Sequence, residues 1–328
     1  MKTIAFVSGT GGAGKTSLVY HLAHMLPRLG YPTLAVDLDP LATLSSLLLG
    51  DKRLEEMWDE GTHTVLSSLA PLMDGQEDIG RPNPFVVTES LWGLAGEPAL
   101  WSLDGPLAEA RFECHSGERS AFSRLSAFHR VVQRAGQETK SAVALLDLGS
   151  GLGSINQTAL LAADFLVFPV AADTFSLHGL KVLGPFIRQW REEWRHLRQR
   201  VGNSSAELPE GRMAPVGYVA LRLNFFQGRR TRFQAQWMNQ IPAVYATEVL
   251  GVKETEIPRD DHDESCLALL RNYGSLMSMA QEARKPMFDL TPADGAVGSY
   301  APLVHECFQD FEGLATLLVM QCGVEKPT

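Results

Sequence analysis

The run Ser8-Gly9-Thr10-Gly11-Gly12-Ala13-Gly14-Lys15-Thr16-Ser17 holds the residues best suited to chemistry. Gly9, Gly14, Lys15 and Thr16 fit the spacing G-x-x-x-x-G-K-[ST] without a mismatch. Glycines in that pattern let backbone N–H groups close around phosphate oxygens where a Cβ would intrude, and the helix that begins there adds partial positive charge. Lys15 is then expected to reach the β and γ phosphates of a nucleotide, and Thr16 to offer its hydroxyl to Mg²⁺. Gly11, Gly12, Ala13, Gly14 and Ser17 complete the expected nucleotide cradle.

Three aspartates close apolar runs. Asp37 and Asp39 flank Leu38 just before Pro40, and the turn there lets one of the two meet the phosphates. Asp39 is expected to position the attacking water, and Asp147, at the end of an Ala-Leu-Leu-Asp run, to hold Mg²⁺ directly or through water. The candidate catalytic set is Lys15, Asp39 and Asp147, and the candidate metal set is Thr16, Asp39 and Asp147. Phosphoryl transfer is served by such a set because it requires mainly positioning and charge stabilisation.

These residues need strands that end together. Apolar runs at Ile4–Val7, 33–37, 142–146, 165–170 and 216–223 read as strands, with a shorter one at 91–95. Helical periodicity occupies 41–80 in pieces, 100–140, 176–200 with a break at Gly184-Pro185, 232–249, 265–284 and 298–320. Strands alternating with helices predict an α/β fold, a mostly parallel twisted sheet with helices on both faces, in one domain over 1–328. Residues 110–140 read as a helical insertion before the strand that ends at Asp147. Ligands on such sheets bind beyond the carboxyl ends of the strands, so 9–16, 37–40 and 147–153 face one crevice.

The 328 residues are 45% hydrophobic and 20% charged, ordinary for a globular chain with ample core. A net charge of −9 argues against a surface that is basic all over. The four cysteines form no C-x-x-C pair, which points to a reduced, cytoplasmic protein without a disulfide framework or zinc site. The apolar region 158–172 is broken by Asp164 and Pro169 and does not read as a membrane span.

Taken in order, Gly11 to Ser17, Val36-Asp37-Leu38-Asp39-Pro40, Leu146-Asp147-Leu148-Gly149, Ala162-Ala163-Asp164, Phe175 to Leu180, Ile257-Pro258-Arg259-Asp260 and Ala283-Arg284-Lys285-Pro286 resemble the ParA/MinD family of deviant Walker ATPases, its ParA branch most closely. The resemblance implies a P-loop NTPase-like fold, an ATP-dependent homodimer, slow hydrolysis stimulated by an adaptor, and the positioning of DNA or another cargo in a bacterial cytoplasm, where such proteins associate with the nucleoid. It also implies that Pro258, Arg259 and Asp260 lie near the adenine. One departure matters: the family's second phosphate-loop lysine, which crosses to the partner subunit, is here Thr10. Lys181 is a candidate substitute. The competing readings are a P-loop ligase of the dethiobiotin-synthetase-like branch, whose loops also lack that lysine, and a nucleotide-held scaffold with little turnover.

In 176–200, Ile187, Trp190, Trp194 and Leu197 recur at helical spacing and are expected to pack inward. Arg188, Arg191, Arg195 and Arg198 form an adjacent stripe, and Arg229 and Arg230 add a basic cluster. Non-specific DNA binding through phosphate neutralisation is one reading of these six, and a solvated face with Glu192 and Glu193 is the other. At the C-terminus, Glu306, Asp310 and Glu312 accompany the apolar 311–320 stretch, which suits a packed helix better than an anionic lipid surface.

Overall fold

The computed structural model describes the chain apart from residues 77, 202–206, 227–228, 231, 257–262 and 328, and apart from the side chains of 225–226, 229–230, 232–233 and 256. β1 (Lys2–Phe6) enters the glycine loop and α1 (Lys15–Arg28) leaves it. β2 (Thr33–Leu38) is followed by α2 (Thr43–Leu49), α3 (Asp51–Glu60) and α4 (Val65–Met73). The hairpin β3 (Phe85–Thr88) and β4 (Leu91–Leu94) leads through a 3₁₀ turn, Pro98–Leu103, to α5 (Asp104–Cys114), α6 (Arg119–Leu125) and α7 (Ala127–Thr139). Next come β5 (Val143–Leu148), α8 (Ser154–Leu161), β6 (Phe165–Ala171) and α9 (Thr174–Val201). β7 (Ala214–Leu223) precedes a short hairpin, β8 (Phe225–Phe226) and β9 (Arg229–Arg230), then α10 (Arg232–Met238), α11 (Ile241–Val244) and a π turn, Tyr245–Leu250. β10 (Cys266–Arg271), α12 (Gly274–Ala283) and α13 (Tyr300–Gln321) follow.

One sheet runs in the order β10-β7-β6-β1-β5-β2-β4-β3. All its pairings are parallel except β3 with β4 at one edge. β1 lies between β5 and β6, so the loops after β1, β2 and β5 open on one edge, as the crossover rule requires. Period-two alternation divides the core. Ile4 and Phe6 join the layer under α1, α12 and α13, whereas Ala5 and Val7 join the layer under α4 to α9. The terminal helix buries Phe311, Leu314, Ala315 and Leu318, the packed helix expected from its acidic companions.

Three expectations are corrected. α9 is continuous for 28 residues through Pro185. The bar against a helical residue before proline acts largely on its Cβ, and Gly184 has none. Glycine also lets α9 approach the π turn, because a Cβ there would lie 2.3 Å from the Glu248 carbonyl oxygen. The stretch 265–284 is not one helix: Cys266–Arg271 pairs with β7 before α12 starts. Its continuous apolar run suits a strand and a buried helix equally, and partner strands decide. The 232–249 stretch is broken, with Pro242 restarting it at α11.

Candidate nucleotide site

The glycine loop is built on positive φ. Gly14 (φ 94°) ends it in the left-handed region as α1 begins, and Gly12 adopts φ 74°. Gly9 meets the start of α9, where a Cβ on it would stand 2.6 Å from the Gly179 Cα. Gly11 and Gly12 are exposed, Ala13 is buried, and Gly14, Thr16 and Ser17 are half-buried.

Lys15 and Asp147 meet beneath this loop. The ammonium lies 2.7 Å from Asp147 Oδ1 and also donates to the Leu148 carbonyl. Both side chains are nearly shut from solvent, at 8% and 0% exposure. Burial raises the Asp147 carboxyl above its ordinary range against the opposing pull of Lys15 and the neighbouring Thr16 hydroxyl. Asp147 Oδ2 is buried without a hydrogen-bond partner. The unpartnered carboxylate oxygen is a hard donor suited to Mg²⁺, and the Thr16 hydroxyl near the same carboxyl is another. Among the described residues no group of three or more His, Cys, Asp or Glu could hold a metal.

The two aspartates at the end of β2 divide their roles. Asp37 is enclosed: its Oδ2 accepts from the Ser45 amide (2.8 Å) and hydroxyl (2.7 Å), and its Oδ1 from the Asp39 amide. Ser45 in turn accepts from the Gly96 amide at 2.9 Å. Burial, with the nearby Asp147 charge, pushes the Asp37 carboxyl up to about 7. Asp37 therefore ties the end of β2 to Ser45 of α2 and, through Ser45, to Gly96 just beyond β4. Asp39 is half-buried; its Oδ1 accepts from the Leu41 amide and lies 3.6 Å from where a Cβ on Gly149 would be. Ser45, which the sequence reading passed over, is a buried serine eight residues beyond a strand-end aspartate.

A cavity of about 310 Å³ adjoins the loop, lined by Ala13, Gly14, Ser17, Leu221, Asn272 and Tyr273 among others. It lies at the carboxyl ends of β7 and β10, which was the signal available in the sequence had 266–271 been read as a strand. Pro258, Arg259 and Asp260 lie outside the described residues.

The arginine stripe is not one uniform face. Arg188 donates to the Thr247 carbonyl (2.9 Å) and Arg198 to the Glu210 carbonyl (3.3 Å), while Arg195 pairs with Glu192. Arg191 is half-buried. Ile187, Trp190, Trp194 and Leu197 are buried as expected. Arg229 and Arg230 have described backbone in β9, but their side chains lie outside the description. Lys181 is exposed, and its position two residues past Gly179 turns it about 200° from the α9 face that touches the phosphate loop.

A parallel sheet with a glycine loop after its central strand, and a buried lysine–aspartate pair beneath that loop, defines a P-loop nucleotide-binding domain. The family model described as "CobQ/CobB/MinD/ParA nucleotide binding domain" matches residues 4–268, and the chain belongs to that family. Cell division protein PomZ of Myxococcus xanthus is 30% identical over 196 residues, covering 60% of this chain and 54% of PomZ. Chromosome-partitioning ATPase Soj of Treponema pallidum is 28% identical over 182 residues, covering 56% of this chain and 62% of Soj. The chain thus spans about half the length of curated relatives it matches. In fold it is similar to the McdA–ATP complex from Cyanothece (TM-score 0.63, 16% identity, 100% of this chain and 98% of that one). It is also similar to MinD with Mg-ADP from Pyrococcus horikoshii (TM-score 0.56, 18% identity, 98% of each).

Proposed function

We propose that the chain is an ATP-dependent positioning switch of the ParA/MinD kind: it takes up MgATP, dimerises over the nucleotide, and is reset by slow hydrolysis. The observation that carries this reading is the buried Lys15–Asp147 pair under the glycine loop, with Asp147 Oδ2 left unpartnered. Incoming phosphate supplies a new anion for Lys15, and Asp147 and Thr16 are then the residues that would hold Mg²⁺, whose charge stabilises the transferring phosphoryl group. Asp39, half-buried at the end of β2 and close to Gly149, is the residue for water positioning. Thr10 brings no charge to the loop, which supports slow turnover awaiting an adaptor.

Relatives named for cell division and chromosome partitioning support a cargo-positioning role over the ligase reading. In fold, McdA and MinD align with 100% and 98% of the chain, whereas a cobyrinic acid a,c-diamide synthase from Mycobacterium smegmatis aligns with 74% of it. The cargo is proposed to be DNA or a large assembly in a bacterial cytoplasm, with DNA contacts through Arg191 and Arg195 and an adaptor that stimulates hydrolysis. No helix among the described residues is long and apolar enough to cross a membrane. Size-exclusion chromatography with and without ATP and Mg²⁺ tests the proposal. A monomer-to-dimer shift that Asp147→Asn abolishes is expected, and an unchanged elution volume with no nucleotide uptake removes the switch.

A further inference from the structure

We propose that Gln157, aligned by Arg111, is a positioning residue for the loop 149–153 that follows the magnesium carboxylate; this rests on the nucleotide reading above. The loop lies over the phosphate cradle: a Cβ on Gly11 would stand 3.8 Å from Ser150 Oγ, and Gly149 borders Asp39. Its shape is set from α8. Asn156 Nδ2 donates to the carbonyls of Gly149 and Gly151 (3.0 Å each), and Gln157 Nε2 donates to the Leu152 carbonyl at 2.6 Å.

Arg111 decides which way the Gln157 amide points. A guanidinium has donors and no acceptor, so its Nη1, 2.6 Å from Gln157 Oε1, holds the oxygen end of the amide toward α5 and leaves the NH₂ for Leu152. Arg111 is itself fixed. Nε and Nη2 form a forked pair with Glu193 at 3.1 and 2.6 Å, and the guanidinium stacks 4.5 Å over the Trp190 ring. The Trp190 indole N–H closes the circuit by donating to the Gln157 carbonyl at 2.9 Å. Asp104, the first residue of α5, accepts from the Ile155 amide and borders Gly153. Through the Gln157 amide, α5 and α9 thus bear on the end of the loop, beside the holds that Asn156 and Asp104 supply.

Gln157→Glu separates positioning from mere support. It keeps a partner for Arg111, so the thermal midpoint is expected to stay near that of the parent, but it cannot donate to the Leu152 carbonyl. Single-turnover hydrolysis is expected to fall about tenfold, while the affinity for a fluorescent ATP analogue changes less than about twofold. Amide hydrogen exchange at residues 150–153, measured without nucleotide, is expected to speed up with the rest of the chain unchanged. Arg111→Lys, which loses the forked pair, is expected to give the same local exchange. Parent-like exchange of the loop in Gln157→Glu overturns the proposal, whether or not ATP is hydrolysed. A parent protein that takes up no nucleotide overturns the functional reading instead, and the exchange readout distinguishes the two failures.

Discussion

Lys15 Nζ lies 2.7 Å from Asp147 Oδ1, with both groups withdrawn from solvent. Removing one member of such a pair leaves a buried charge uncompensated, which typically costs about 3–5 kcal/mol. Lys15→Ala is therefore expected to lose nucleotide binding and also to unfold at a lower temperature. Asp147→Asn leaves Lys15 with the Leu148 carbonyl as an acceptor and is expected to be milder in stability, yet equally unable to respond to Mg²⁺. Thermal melts of both variants beside nucleotide titrations check this. Equal melting temperatures for Lys15→Ala and the parent would contradict the buried-pair account.

Two histidines of α1 make stability depend on acid. His21 donates from Nδ1 to the Ser17 carbonyl and accepts at Nε2 from the Met287 amide, so it is neutral in the fold. Burial lowers His21 to about 4, and burial with neighbouring charges lowers His24 to about 3. Folded values below the ordinary 6.5 mean that their contribution is present above pH 6.5 and is lost as pH falls from there toward 4. His24 Nε2 is buried without a partner, so His24→Leu is expected to be neutral or to stabilise by about 1 kcal/mol, and to flatten that slope. Denaturant midpoints at pH 7, 5.5 and 4.5 test both points.

Gly9 and Gly179 touch backbone to backbone, and the clearance is unequal. A Cβ on Gly9 would come within 2.6 Å of Gly179 Cα, whereas one on Gly179 would stand 3.3 Å from Gly9 Cα. Gly9→Ala is expected to weaken nucleotide affinity by about tenfold or more, and Gly179→Ala by less, because a shift of a few tenths of an ångström relieves the second contact. The order of the two dissociation constants is the measurement, and the reverse order would contradict it.

Arg191 and Arg195 are the stripe residues to replace, since Arg188 and Arg198 brace neighbouring carbonyls. Arg191→Glu with Arg195→Glu is expected to abolish DNA retention in ATP while leaving nucleotide affinity and melting temperature close to the parent. Unchanged retention on a DNA-coated surface takes these residues out of the DNA proposal.

The placement of the glycine loop before α1 and of Asp147 at the end of β5 was legible in the sequence because the pattern is local: glycines, a lysine and a hydroxyl in one run, and an acid at the end of an apolar one. The division between Asp37 and Asp39 was half legible. Pro40 announces the turn, but the enclosure of Asp37 depends on Ser45 and Gly96, which only folding brings together. Cys266–Arg271 was misread because five apolar residues in a row carry no period, and β7 supplies the missing information. The Arg111–Gln157–Glu193 circuit spans three helices and leaves no trace in any short window.

The meeting of Gly9 with Gly179 leaves no cushion of side chains between the phosphate cradle and α9. From Gly179 to the end of α9 at Val201, 1.5 Å per residue gives an arm of roughly 33 Å. A tilt of about 5° at its short end carries the far tip through roughly 3 Å. That arm is pinned along its length, by Gly184 against the Glu248 carbonyl and by the buried Trp190 and Trp194, so a displacement at the cradle must be taken up by the core on which α9 packs.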